Sequence, residues 1–198
     1  MAPIIYLLAF VGGFVIMSVE LLGGRMLAPY FGSSIYVWGS IITVFMLSLA
    51  LGYLFGGKLS LHHPTLGRFG LIFLIASVLL YPLVYSTEPI MLWVFERIED
   101  ERYGSLLTAS LLFILPTVIL GMISPYSVRL LVETTHGAGQ VAGRLYFVST
   151  MGSALGTLAT SFYFVLWFEI NTILTVMTGT LVLMGVTATV AERLGTRR

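Results

Sequence analysis

Residues 4–24 read IIYLLAFVGGFVIMSVELLGG, and this stretch decides the class of fold. An α-helix of about 20 mostly apolar residues is long enough to cross the hydrocarbon core of a bilayer. Glu20 is the only charged residue in the stretch. A secretory signal peptide would have a basic start, a shorter apolar core and a small-residue cleavage site. We therefore interpret the stretch as a retained membrane-spanning helix.

The composition of the rest of the chain agrees with that interpretation. Hydrophobic residues make up 58% of the 198 residues and charged residues only 10%, with a mean hydropathy of +0.99. Soluble domains contain about 25% charged residues, so the composition argues against a water-soluble domain. A net charge of +1 without a basic cluster argues against nucleic acid as a partner. The absence of cysteine excludes disulfides, zinc–thiolate sites and thiol catalysis.

The hydropathy pattern predicts an all-α membrane protein built as a six-transmembrane-helix bundle. The six predicted spans cover about 4–24, 37–57, 69–85, 106–123, 146–168 and 170–191. Thr87, Glu88 and Pro89 are typical of a helix start, and the apolar residues that follow predict an interfacial helix over about 88–98. The alternative for that segment is a solvated loop. Because the loops are short, we expect residues 1–198 to form a single transmembrane domain with the lipid bilayer as its partner.

The basic residues predict the orientation, since cytoplasmic loops are enriched in Lys and Arg. Seven of the ten fall on one predicted side: Lys58, Arg68, Arg129, Arg144, Arg193, Arg197 and Arg198. The N- and C-termini are therefore predicted to be cytoplasmic. All three tryptophans, Trp38, Trp93 and Trp167, then fall at the outer interface, as expected for an aromatic belt.

Glu20 is the main candidate for a functional residue, because a carboxyl group inside a membrane is costly and often serves a function. Burial would also favour its neutral form and make proton exchange feasible. The alternative is a structural carboxyl group held by hydrogen bonds or by an arginine. Tyr6, Gly13, Met17 and Gly24 share its helical face.

Arg25 follows at the outer end of the first span. In a regular helix it points about 140° away from Glu20, so the two side chains would not pair. Arg25 would extend to the lipid headgroups, or would contact a partner on another helix.

Small residues recur at four-residue spacing in the second and fifth spans. The second span contains Ser48, Gly52 and Gly56, and the fifth contains Ser149, Ser153 and Thr157 beside Gly152 and Gly156. Such stripes predict close helix packing. The alternative is that these helices slide against a partner half. The hydroxyl groups of the fifth span also suggest a polar lining, although hydroxyl groups often bond to their own helix.

Two short matches suggest an internal repeat. Residues 26–30 (MLAPY) resemble residues 122–126 (MISPY), and the tripeptide ALG occurs at 50–52 and again at 154–156. Two units of three spans in opposite orientation would form an inverted 3+3 repeat, as in half of a major facilitator. Chance is the alternative, because the matches are short.

The sequence contains no catalytic or metal-binding motif that would indicate an enzyme. It has no P-loop, no dinucleotide-binding fingerprint and no H-E-x-x-H motif. His62 and His63 precede Pro64 in a predicted loop, where a metal site is a weak expectation. We therefore expect neither a metal nor another cofactor.

Several blocks resemble a known family. Residues 20–34 read ELLGGRMLAPYFGSS, and this block resembles the first-helix signature of the membrane domain of membrane-bound spermidine synthase-like proteins of bacteria and archaea. Members of that family are described as fused major facilitator/spermidine synthase proteins. Residues 38–42, 51–59, 121–130 and 142–146 resemble later blocks of the same domain.

The resemblance implies a location in the prokaryotic plasma membrane. The fused members carry a soluble aminopropyltransferase domain after the membrane part, whereas this chain stops at Arg198. We therefore expect a stand-alone membrane domain, with a separately encoded aminopropyltransferase as a candidate partner.

Two functions follow from these observations. The first is a half-size, facilitator-like transporter that works as a homodimer on polyamines or other organic cations. Its predicted substrate- or proton-binding residues are Glu20, Arg25, Tyr6, Ser149 and Ser153, and its predicted helix-packing residues are Gly52, Gly56, Gly152 and Gly156. The second is a non-transporting membrane module that anchors or regulates a polyamine synthase.

Overall fold

The structure is a computed structural model that describes residues 2–132 and 137–195, and the described part is helical almost throughout. Its helices are α1 (Ala2–Phe31), α2 (Ile35–Leu59), α3 (Leu66–Leu80), α4 (Leu83–Phe95), α5 (Glu101–Gly121), α6 (Ile123–Leu131), α7 (Ala138–Ala159) and α8 (Ile170–Gly195). Between α7 and α8 the chain forms a π-helix, Thr160–Phe164, and a short helical turn, Val165–Trp167. Arg197 and Arg198, which contribute to the predicted orientation, lie outside the described residues.

Several of these helices are long and apolar enough to cross a membrane. In the described residues four candidate spans meet that condition, namely α1, α2, the joined α5 and α6, and α8. The pair α3 and α4 adds a fifth if its two helices form one bent span. The protein is therefore a multi-pass α-helical membrane protein.

The predicted third span, 69–85, contains a break in the structure. Helix α3 ends at Leu80 and α4 begins at Leu83, with a bend of 47° between them. Pro82 lies at this break, and proline has no N–H to continue the hydrogen bonds of α3. The segment predicted as an interfacial helix over 88–98 forms the larger part of α4, which starts earlier and ends at Phe95.

The predicted fifth span, 146–168, corresponds to α7, the π-helix and the helical turn after it. Helix α7 alone is not one of the candidate spans, because Gln140, Arg144 and its small residues lower its hydropathy. The π-helix begins at Thr160, whose side-chain hydroxyl donates a hydrogen bond of 2.9 Å to Ser18 Oγ of α1. Ser18 Oγ donates in turn to the carbonyl oxygen of Gly156, at 3.4 Å.

The helices pack mainly in three pairs: α1 with α7, α2 with α5, and α3 with α8. Glycines allow the close approach in the first pair, since a Cβ on Gly152 or Gly156 would collide with the carbonyl oxygen of Phe10 or Phe14. Helices α1 and α7 therefore run parallel. Their backbones are in direct contact, as in membrane helices that associate through small residues.

The second and third pairs use glycine in the same way. A Cβ on Gly52 of α2 would collide with the carbonyl oxygen of Val118 of α5, and a Cβ on Gly56 would lie 2.7 Å from Met122 Cα. Helices α2 and α5 are therefore also parallel. In the antiparallel pair, Gly70 of α3 and Gly185 of α8 each lie against the carbonyl oxygen of the other.

Aromatic side chains fill the space where these pairs meet. The rings of Phe45 and Phe113 are 5.4 Å apart between α2 and α5, and both side chains are fully buried. At the end of the bundle where α3 begins, Phe69 stacks on Tyr126 of α6 at 5.6 Å. The hydroxyl of Tyr126 accepts a hydrogen bond of 3.2 Å from the Thr65 backbone N–H, which ties α6 to the start of α3.

Candidate functional site

A cavity of about 470 Å³ lies between the first two helix pairs. Its lining comes from the middle of α1, the C-terminal half of α2, the junction of α5 with α6, and the N-terminal half of α7. We call it the central cavity. It occupies the half of the bundle in which α2 ends and α7 begins, which is the predicted cytoplasmic half.

The lining of the central cavity combines polar and apolar groups without a charge. Its hydroxyl-bearing residues are Tyr53, Ser124, Tyr146, Ser149, Thr150 and Ser153. Its larger apolar residues are Ile16, Met17, Leu49 and Leu120. Hydroxyl groups and phenol rings can coordinate a polar or cationic guest, and the apolar residues can contact its hydrocarbon part.

The wall shared by α1 and α7 brings together residues that the sequence separates widely. Gly13 of α1 lies so close to α7 that an added Cβ would collide with the carbonyl oxygen of Ser149 and come within 2.9 Å of Ser153 Oγ. The glycine thus lets these two predicted site residues lie beside α1, and both line the cavity.

Glu20 lies on the α1 face that lines the central cavity, one turn beyond Met17. Its side chain is partly buried and is not part of the cavity lining itself. Within the described residues it has no hydrogen bond or ion pair. No arginine among the described residues holds its carboxyl group, which can therefore accept an external partner.

A tryptophan covers the C-terminal part of the same α1 face. The ring of Trp38 packs against Gly24, where an added Cβ would lie 2.5 Å from the ring. Gly24 is one turn beyond Glu20, so a bulky ring closes the face on that side. The open central cavity lies on the other side of Glu20.

The other two predicted site residues lie elsewhere. Tyr6 lines a groove with Arg144 and Phe147 near the start of α7. Arg25 lines two grooves at the opposite end of the bundle, together with Ile170 and Asn171 of α8. Neither residue lines the central cavity.

Sequence reasoning did not single out Tyr53, Ser124 or Tyr146, which contribute much of the polar lining. Tyr53 lies four residues before the end of the predicted second span and Tyr146 at the start of the predicted fifth span, where tyrosines are expected near the membrane interface, so neither was a candidate for a cavity. Ser124 lies in residues 121–130, a block noted for the family resemblance and for its match to residues 26–30, and not as part of a cavity.

No metal site is evident in the part of the chain that the structure describes. No group of three or more His, Asp or Glu side chains is placed there to hold a metal ion. His62 and His63 lie in the loop before α3, where their carbonyl oxygens accept hydrogen bonds from the guanidinium of Arg68.

The fold and the cavity together define the class of this protein: a multi-pass α-helical membrane protein with a cavity among its helices that is lined by hydroxyl-bearing and apolar side chains. Comparisons with protein-family models, curated proteins and solved structures found no match.

Proposed function

We propose that the chain is a half-size, facilitator-like transporter that works as a homodimer in the prokaryotic plasma membrane and carries polyamines or other organic cations. The observation that carries the proposal is the central cavity, which is lined by hydroxyl and phenol groups, together with Glu20, which lies one turn beyond the lining residue Met17 and has no partner among the described residues. Intramembrane carboxyl groups beside cavities commonly bind substrates or carry protons.

The proposal assigns six crossings to the chain. The bent pair α3 and α4 provides the third crossing, and α7 with the π-helix and the turn after it provides the fifth. With six crossings both ends of the chain lie on the same side, and the distribution of Lys and Arg makes that side cytoplasmic.

The packing supports an inverted repeat of three plus three spans. In one parallel pair Gly52 lies against Val118, and in the other Gly156 lies against Phe14. Gly156 follows Gly52 by 104 residues, and Val118 follows Phe14 by the same number, so the two contacts correspond. The same displacement relates the ALG tripeptides at 50–52 and 154–156. The reciprocal approach of α3 and α8 fits a pseudo-two-fold axis that passes between them.

The same displacement relates a second set of contacts. Gly56 lies against Met122, and at the corresponding positions Thr160 bonds to Ser18. The second set lies one helical turn along from the first on the same two pairs, so the 104-residue correspondence holds over two successive turns. Half of a major facilitator is built from such a repeat, which supports the facilitator-like part of the proposal.

The cavity chemistry supports an organic cation as the cargo. The phenol rings of Tyr53 and Tyr146 can contact an ammonium group by cation–π attraction, and Glu20 can neutralise a positive charge. The apolar residues of the lining suit the methylene segments of a polyamine.

The exposure of the cavity rim supports a second copy as the partner. Tyr53 and Tyr146 are 48% and 54% exposed although they line the cavity. A two-fold partner facing this side would enclose the cavity between the two copies, as the halves of a facilitator do.

Uptake into proteoliposomes tests the proposal. The purified chain should accumulate radiolabelled spermidine or another organic cation, and Glu20→Gln should abolish uptake while preserving expression and folding. Glu99→Gln is the matched control, because Glu99 is exposed in the loop between α4 and α5. Full uptake of the active substrate by Glu20→Gln would remove Glu20 from the mechanism.

The second candidate function is a membrane module that anchors or regulates a separately encoded aminopropyltransferase. The resemblance of residues 20–34 to fused spermidine synthase-like proteins favours it. Co-purification of a soluble aminopropyltransferase, together with no uptake of any candidate cation, would support the module over the transporter.

A further inference from the structure

Arg25 lies where two surface grooves meet, at the end of the bundle opposite the central cavity. One groove, of about 560 Å³, follows residues 166–169 before α8. The other, of about 310 Å³, lies between the end of α1 and α4. Arg25, Ile170 and Asn171 line both grooves. We call this pair the Arg25 groove.

The lining of the Arg25 groove contains one positive and two negative side chains. Glu169 lines its first part and Glu88 its second part. Arg25 is exposed, and within the described residues it has neither a hydrogen bond nor an ion pair with either carboxylate. Both signs of charge are thus available, on separate groups, to a ligand that carries an anion and a cation.

Large apolar side chains line the same groove as these charges. Leu166, Trp167 and Phe168 are 70%, 77% and 55% exposed, and all three line the first part. Tryptophan is enriched at the level of the lipid headgroups. The groove therefore presents charged groups beside an apolar surface, which matches the two halves of a phospholipid.

We propose that the Arg25 groove binds a phospholipid with a zwitterionic phosphoethanolamine headgroup. The guanidinium of Arg25 donates paired hydrogen bonds to the phosphate, a geometry that arginine supplies well. The ammonium group donates to the carboxylate of Glu88 or Glu169. The acyl chains lie along Leu166, Trp167 and Phe168. This assignment needs only a membrane-embedded chain and does not depend on the transport proposal.

Native mass spectrometry of the full chain in detergent tests the assignment. Phosphatidylethanolamine should bind more tightly than phosphatidylglycerol with the same acyl chains, because only the former supplies a cation for Glu88 and Glu169. Arg25→Gln should weaken phosphatidylethanolamine binding about tenfold, the expected loss for charge-assisted hydrogen bonds to a phosphate. Arg25→Lys, which keeps the charge, should lose less.

Arg97→Gln is the matched control. Arg97 is exposed just after α4, where its guanidinium lies 4.5 Å from the centre of the Trp93 ring, and it does not line the groove. This variant should bind phosphatidylethanolamine as the unmodified chain does.

Two further binding measurements test the assignment even if the Arg25 variants fold poorly. The double variant Glu88→Gln/Glu169→Gln should lose the preference for phosphatidylethanolamine over phosphatidylglycerol. Free phosphoethanolamine should bind far more weakly than the lipid. Equal binding of the two lipids by the unmodified chain, unchanged binding by Arg25→Gln, or equal binding of free phosphoethanolamine would each overturn the assignment.

Discussion

Two tyrosines from different helices line the central cavity, and in the proposed transporter their rings would contact the cargo. Among the residues that the structure describes, Tyr53 and Tyr146 are the aromatic members of the lining. The hydroxyl groups of Ser149 and Ser153 could be predicted from the pattern of α7. The tyrosines could not, because nothing in one sequence says which helices meet across a cavity.

Two substitutions of Tyr53 distinguish the contribution of its ring from that of its hydroxyl group. Tyr53→Phe keeps the aromatic face and should retain most cation uptake, whereas Tyr53→Leu should raise KM about 2- to 30-fold, since a cation–π contact contributes about 0.5–2 kcal/mol. Uptake kinetics in proteoliposomes measure the effect. Tyr163→Leu is the control, because Tyr163 is 66% exposed in the π-helix and does not line the cavity. Equal loss in Tyr53→Phe and Tyr53→Leu would contradict a cation–π role.

The helix pairs are determined by glycines whose spacing is visible in the sequence. The small-residue stripes of the second and fifth spans predicted close packing, and the structure places Gly52 and Gly152 against the backbones of α5 and α1. The identity of each partner helix was not predictable, because a stripe of small residues fits any helix equally well. The π-helix was also not predicted, since residues 160–164 continue the apolar pattern of a regular helix.

Two glycine-to-alanine substitutions test the close packing of α1 against α7. Gly152→Ala should lower thermal stability, because the new methyl group meets the Phe10 carbonyl group. Gly179→Ala of α8 should be neutral or slightly stabilising, since nothing lies within 4 Å of its added Cβ and alanine favours helix by about 1 kcal/mol. Unfolding in detergent micelles measures both variants. Equal stability of the two would argue against a backbone contact between α1 and α7.

At the scale of the whole molecule, hydropathy was enough to predict a multi-pass helical membrane protein. The exact number of crossings was harder to predict, because the chain bends at Pro82 in one candidate span and polar residues lower the hydropathy of another. Whether each of these two segments crosses the membrane decides whether the two ends of the chain lie on the same side.

Cysteine labelling resolves that number directly, because the chain has no native cysteine. With six crossings, Ala2→Cys, Leu61→Cys and Gly195→Cys should react with an impermeant maleimide only from the cytoplasmic side. Glu99→Cys should react only from the outside. Reaction of Ala2→Cys and Gly195→Cys from opposite sides would mean an odd number of crossings and would remove the facilitator-like repeat.

The measurement that tests the central claim most directly is chemical block of the central cavity during transport. Ser153→Cys should make cation uptake sensitive to a small cationic methanethiosulfonate reagent, and excess substrate should slow the modification. Thr180→Cys is the control, because Thr180 lies on α8 away from the cavity and bonds to its own helix. After treatment, uptake should be lost for Ser153→Cys and kept for Thr180→Cys. Full uptake after complete modification of Ser153→Cys would contradict a transport path through this cavity.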